Sequence, residues 1–283
     1  MDLNEIRARG LILIGCGKMG SAMLEGWLES GIPASSIWIS DPEPSAWLTK
    51  TGVNINKTLP KNPAVCLIAV KPQIIFEALS NLNKYKNSDT LFISIAAGIQ
   101  LSQLEAAISP DSTIIRAMPN TPSAIGKGIT ALIGNSVAKD EHIQLTKVLM
   151  EKISQVVQLE SEDQMDVVTG LSGSGPAYVF YLVESLANAG VELGLSEDMA
   201  MRLAKATVAG SGALLMSSSE QPSKLRKNVT SPNGTTQAGL EILMDQKSGL
   251  MPLVKKTVEA AAERSKELGN GCLLYTSDAA DET

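Results

Sequence analysis

Leu11-Ile12-Leu13-Ile14-Gly15-Cys16-Gly17-Lys18-Met19-Gly20 is the stretch that decides the fold. Four successive apolar residues read as a strand buried on both faces. The glycines that follow match G-x-G-x-x-G, a pattern that is weak alone and specific where it leaves a strand and opens a helix. Residues 18–30 carry that helix. The three glycines do different things. Gly15 permits the tight turn, Gly17 lets backbone approach a pyrophosphate, and Gly20 lets the helix pack on the strand. The pyrophosphate then meets unpaired N–H groups at the positive end of the helix dipole. The stretch predicts a dinucleotide-binding domain.

The surrounding sequence extends this unit. Residues 37–40, 64–70, 91–94 and 113–116 are short β-rich runs, and 72–82 reads as helical between them. Two more strand-like runs, 130–133 and 154–159, flank a helix near 139–152. Near-continuous apolar strands separated by helices predict a doubly wound, mostly parallel sheet, the Rossmann type of α/β domain. From about Asp163 strands stop, and helical stretches follow at 176–193, 197–217, 235–247 and 250–268. Small residues such as Ala187, Ala204 and Gly210 recur there and let helices approach closely. The expected division is 1–163, a Rossmann domain; 164–270, an all-α domain; and 271–283, a non-native tail. The last helix is expected to stop at Leu268-Gly269-Asn270-Gly271, and the string after it resembles a reading frame of a sequencing adapter.

Composition narrows the function classes. Of 283 residues, 44% are hydrophobic and 19% charged, the balance of a soluble globular chain. The net charge of −6 argues against a nucleic-acid partner. No run of about 18 apolar residues marks a membrane span, and no membrane partner is expected. Cys16, Cys66 and Cys272 lie far apart, without metal spacing or a complete disulfide set. With no signal-like N-terminus, a cytoplasmic setting and no metal are expected. The single histidine, His142, sits in Lys139-Asp140-Glu141-His142 and reads as a solvated helix residue.

Ligands of open α/β sheets sit at the carboxyl ends of the strands. Asp41 ends the second strand, where an acid accepts hydrogen bonds from ribose hydroxyls, a preference for NAD; its alternative is a cap of the turn at Pro42. Ala69-Val70-Lys71-Pro72 and Ile95-Ala96-Ala97-Gly98 end two further strands. Lys71 is equally a phosphate ligand or a surface lysine. In the helical half, Gly170-Leu171-Ser172-Gly173-Ser174-Gly175-Pro176-Ala177 opens one helix, and Val229-Thr230-Ser231-Pro232-Asn233-Gly234-Thr235-Thr236 opens another. Thr235 and Thr236 bring N–H groups without helical acceptors, a site for a small carboxylate; the alternative is plain capping.

Arg116-Ala117-Met118-Pro119-Asn120-Thr121-Pro122, residues 170–178, and Pro222 followed by Asn228 to Thr236 together resemble the pyrroline-5-carboxylate reductase family. The resemblance runs from about Leu11 to Leu268. It implies reduction of L-1-pyrroline-5-carboxylate to L-proline by NADPH or NADH, the last step of proline synthesis. It implies a substrate carboxylate on the backbone of Gly234, Thr235 and Thr236, with the Thr236 hydroxyl at the ring nitrogen. Glu162, Asn228 and Ser231 would belong to the substrate pocket. The cofactor would touch Ile14, Gly15, Cys16, Gly17, Lys18, Met19 and Gly20, together with Asp41, Asn56, Ala69, Val70, Lys71, Pro72, Ile95, Ala96 and Ala97. The family also implies a homodimer of interlocked helical domains that can assemble into a decamer, the substrate loop completing the partner's active site. Two departures stand out. Asn233 replaces the first of two glycines, and Asp41 replaces a small hydroxyl residue of NADP-preferring relatives.

The chemistry agrees with so few titratable groups. A protonated cyclic imine accepts hydride without a strong base, and orientation supplies much of the rate. A 3-hydroxyacid dehydrogenase shares the architecture but carries a lysine and an asparagine where this chain has Val179 and Val183, and alcohol oxidation needs a base. A non-catalytic dinucleotide sensor would not need both loops.

Overall fold

The computed structural model describes residues 1–277 apart from 81 and 87. Its strands are β1 (Leu11–Ile14), β2 (Ile37–Ser40), β3 (Asn54–Ile55), β4 (Val65–Ile68), β5 (Leu91–Ser94), β6 (Ile114–Met118), β7 (Gly128–Gly134) and β8 (Ser154–Gln158). Its helices are α1 (Leu3–Arg9), α2 (Lys18–Glu29), α3 (Ile75–Ser80), α4 (Leu101–Ala107), α5 (Asp140–Met150), α6 (Gln164–Val168), α7 (Gly175–Glu192), α8 (Glu197–Ser217), α9 (Pro222–Asn228), α10 (Thr235–Leu243) and α11 (Leu250–Ser277).

The strands form one sheet in the order β3-β2-β1-β4-β5-β6-β7-β8. Every pairing is parallel except β6 with β7. This is the Rossmann arrangement expected from the apolar runs. Side chains alternate across each strand, so the two faces bury different sets. Leu11, Leu13, Ile37, Ile39, Leu67 and Ile93 pack on one side with Trp27 of α2 and Leu149 of α5. Ile12, Ile14, Cys66, Ile68 and Phe92 pack on the other with Leu79 of α3 and Leu104 of α4. The indole of Trp27 is fully buried, and its N–H donates to the Leu149 carbonyl at 3.0 Å, which links α2 to α5.

The chain forms two compact units: Met1–Gly173 with the segment from Ala261 onward, and Ser174–Ala260. The division lies after the π-helical turn Thr169–Gly173, ten residues beyond the boundary expected at 163. Gly173 belongs to the first unit because it packs against Met118; a Cβ there would come within 2.5 Å of the Met118 methyl. The glycine-rich segment after 169 is thus helical where a loop was expected. In the second unit, α7 and α8 meet through small residues. A Cβ at Gly190 would lie 3.2 Å from that of Ala200. Among the described residues, only Ala187, Ala200 and Ala204 form a buried apolar cluster there.

The last helix corrects one expectation. Gly269 does not stop α11, which continues to Ser277. A Cβ at Gly269 would meet the Gly98 carbonyl at 2.5 Å, and the Gln103 amide donates to the Gly269 carbonyl at 2.9 Å. The glycine serves close packing inside the helix. The rest of the expected tail, residues 278–283, lies outside the described residues. His142 is a second correction. It stands in α5 as expected, but its ring is mostly covered, and its Nδ1 accepts the Lys139 N–H at 3.0 Å. Burial holds its pKa below the ordinary histidine value.

Candidate active site

Register places the cofactor residues along one edge. Ile14 pairs with Ser40 of β2 and Ile68 of β4, and Ile68 pairs with Ser94 of β5. The residues that follow, Asp41, Gly15, Ala69 and Ile95, therefore leave the sheet side by side at its carboxyl ends. Backbone hydrogen bonds continue the ladder past the strands: Gly15 N–H to Ser40, Ala69 N–H to Ile14 and Ile95 N–H to Ile68.

Two glycines of the loop, Gly15 and Gly20, stand where close packing needs them. Gly15 has φ +84°, and a Cβ would lie 2.9 Å from the Ala69 carbonyl. A Cβ at Gly20 would lie 2.7 Å from the Gly15 carbonyl, so this glycine seats the helix on the turn. A Cβ at Gly17 would meet nothing within 4 Å. Gly17 caps α2, and among the described residues no side chain is bonded to the first-turn N–H groups. Those donors and the space over Gly17 fit a pyrophosphate.

Asp41 is tied to this loop. One carboxylate oxygen accepts the Cys16 N–H at 2.6 Å and the other accepts the Glu43 N–H at 2.9 Å. Asn56 holds the Asp41 backbone from both sides, accepting its N–H at 3.0 Å and donating to its carbonyl at 2.7 Å. Asn56 sits at φ 50°, a left-handed conformation that asparagine tolerates. A cavity of about 380 Å³ opens here, lined by Ile14, Asp41, Asn56, Val70, Ile74 and Leu82 among others. Its volume and apolar walls suit an adenosine. Cys16 is buried, and burial raises its thiol pKa against the opposing hydrogen bond of Ser21. Met19 packs partly against the core, while Lys18 and Lys71 are exposed.

Glu162 is bonded within the first unit. Its Oε1 accepts from the Arg116 guanidinium at 2.8 Å and from the Leu101 N–H at 2.7 Å. The pair ties β6 to the start of α4. Asn120 is a similar tie: it donates to the Ser172 carbonyl and accepts the Ile129 N–H. Arg116 and Asn120 had no individual role in the sequence reading. An arginine inside an apolar strand was the available signal, because a buried guanidinium requires a partner.

In the second unit, α10 begins at Thr235 with Gly234 as its cap, and among the described residues no side chain bonds its first N–H groups. Asn233 takes φ 57°, and its N–H donates to the Gln237 side chain at 2.8 Å. The Gly234 N–H closes the turn on the Ser231 carbonyl at 3.1 Å. A Cβ at Gly234 would meet the Ser231 hydroxyl, which would have to rotate away, and would lie 3.1 Å from the Ser231 carbonyl. Thr235 and Thr236 are exposed at this end, whereas Asn228 donates to Glu220 at 2.9 Å. The turn feasible in sequence with Asn233 in place of glycine is the turn formed.

Comparison with known proteins gives these sites a context. The family described as pyrroline-5-carboxylate reductase dimerisation matches residues 162–268, and that described as NADP oxidoreductase coenzyme F420-dependent matches residues 11–98. A pyrroline-5-carboxylate reductase of Pseudomonas aeruginosa is 34% identical over 91% of this chain and 96% of its own length. The structure of a pyrroline-5-carboxylate reductase from Coxiella burnetii superposes with a TM-score of 0.84 at 32% identity, covering 92% of this chain and 98% of the other. A Plasmodium falciparum pyrroline carboxylate reductase with NADP bound gives a TM-score of 0.79 at 30% identity, with the same coverage of 92% and 98%.

Proposed function

The chain belongs to the pyrroline-5-carboxylate reductase family, and from that premise we propose that it reduces L-1-pyrroline-5-carboxylate to L-proline with NAD(P)H. The observation that carries the reading is the glycine loop, whose middle residue keeps space for a pyrophosphate in a chain that aligns with these reductases almost end to end. The bound nicotinamide supplies the hydride. The chain's own residues hold and orient. The first-turn N–H groups of α2 take the pyrophosphate, and Asp41, Asn56 and Val70 border the adenosine. The Thr235 and Thr236 N–H groups bind the substrate carboxylate, and the Thr236 hydroxyl holds the proton of the ring nitrogen. Ser231 and Gly234 shape that turn. No general base is needed for an imine that arrives protonated. An assay following NADH or NADPH oxidation by pyrroline-5-carboxylate tests the reading; oxidation of neither would overturn it.

Thr236→Ala is expected to lower kcat roughly tenfold, the worth of one hydrogen bond of about 1.5 kcal/mol. Cofactor affinity, measured by titration, stays unchanged. Unaltered turnover would remove the hydroxyl from the mechanism.

The family match includes the region of dimerisation. We place the homodimer contact on the helical unit and allow its further assembly into a decamer. Support comes from the surface: Phe180, Tyr181, Leu193, Met216, Ile242 and Met251 are all well exposed in the single chain. Such faces rarely stay open to water. Light scattering at micromolar concentration is expected to give at least twice the 29.9 kDa chain mass; a stable monomer would contradict the placement. Among the described residues no helix is long and apolar enough to cross a membrane. Cys16 and Cys66 are free and buried, which supports a cytoplasmic setting.

A further inference from the structure

We propose that Asp41 makes this reductase prefer NADH over NADPH. The inference rests on the hydride-transfer reading above and sharpens its cofactor. NADPH differs by one 2′-phosphate, which needs cationic side chains and N–H donors beyond the end of β2. Among the described residues that line the cavity there is no cation, and the N–H groups nearest the Asp41 carboxylate are engaged. The residue after Asp41 is Pro42, which has no N–H. The N–H groups of Asp41, Glu43 and Cys16 are already donated, to Asn56, to Asp41 and to Asp41 respectively. No described lysine or arginine lines the cavity, and two acids, Asp41 and Glu77, do. Lys57, next to Asn56, turns its ammonium to the Asn54 side chain at 3.3 Å.

Asp41 cannot easily move out of the way. Both oxygens and both backbone polar groups of this residue are bonded. Each carboxylate oxygen has a second lone pair, so both can still accept from the neutral ribose hydroxyls of NADH. A 2′-phosphate would instead bring like charge against a held carboxylate. The Plasmodium falciparum structure with NADP bound shows that members of this fold hold the phosphorylated cofactor, so the discrimination lies in these side chains and not in the architecture.

The test titrates the full-length protein with NADH and with NADPH, without substrate, and reads nicotinamide fluorescence. Wild type is expected to bind NADH at least about tenfold more tightly, about 1.4 kcal/mol. Asp41→Ser and Asp41→Asn are expected to narrow the ratio at least about tenfold, chiefly by tighter NADPH binding. Asp41→Asn keeps an acceptor for the Cys16 N–H and guards against simple collapse of the loop. Equal or tighter binding of NADPH by wild type would overturn the proposal, as would an unchanged ratio in folded variants. An NADH advantage without turnover of pyrroline-5-carboxylate would sustain the assignment of Asp41 while sinking the substrate reading.

Discussion

Gly17→Val is expected to fold like wild type and to lose NAD(P)H binding by about 100-fold or more, about 2.7 kcal/mol. The two halves of this expectation have separate causes. A Cβ at Gly17 meets no atom of the described residues within 4 Å, and the residue has an ordinary negative φ of −69°. The protein therefore gives a side chain room, and thermal unfolding of the unliganded variant should shift by no more than about 0.5 kcal/mol, as for other surface changes. The cofactor does not give room. The isopropyl group would stand where the pyrophosphate must approach the α2 N–H groups, and it would cover those donors from the ligand. The neighbouring glycines provide the contrast. Gly15→Ala forces a side chain onto φ +84° and into the Ala69 carbonyl, so it should damage fold and binding together. Fluorescence titration beside a thermal melt separates the cases. Wild-type cofactor affinity in Gly17→Val would refute the assignment of the loop.

That contrast shows what was legible in the sequence. The loop was readable because its pattern is local: strand, turn and helix start lie within ten residues, and Gly20 packs on Gly15 inside that span, although the Ala69 carbonyl that crowds Gly15 lies far along the chain. The alternation of apolar runs also sufficed for the parallel sheet. What escaped depends on partners distant in the chain. β3 is two residues long and exists through its pairing with β2. The cap position of α4 is Gln100, not a serine, threonine or aspartate, and the Gln103 side chain accepts the Gln100 N–H. Gly269 reads as a helix stop until Gly98, far back in the chain, is seen against it. The turn at 231–236 was readable for a similar reason, because Asn233 is a residue that tolerates the left-handed conformation the turn needs. The role of Asp41 was half readable. Its position at the strand end and its cap of the turn at Pro42, formed through the Glu43 N–H, were visible, whereas the bonds from Cys16 and Asn56 were not.

Glu162 tests the long-range part most severely. Family resemblance places it in the substrate pocket, while in the folded chain its Oε1 is held by Arg116 and the Leu101 N–H. The Arg116 side chain is 4% exposed and that of Glu162 is 29% exposed. Removing the carboxylate leaves a guanidinium buried without its counter-charge, and a backbone donor without its acceptor. Breaking such a pair costs about 3–5 kcal/mol when both partners are buried, and the partial exposure of Glu162 puts Glu162→Ala near the lower end, about 3 kcal/mol. The expected result is a fall of several degrees in Tm, with KM for pyrroline-5-carboxylate little changed at temperatures where the variant is folded. Removing both charges should restore much of the loss. Arg116→Met combined with Glu162→Met leaves no orphaned ion, and buried pairs replaced by apolar residues of similar volume are often neutral in stability. Additive losses in the double variant would show that the two side chains are not coupled. An unchanged Tm in Glu162→Ala together with a raised KM would return this carboxylate to the substrate and leave Arg116 to be satisfied by other means.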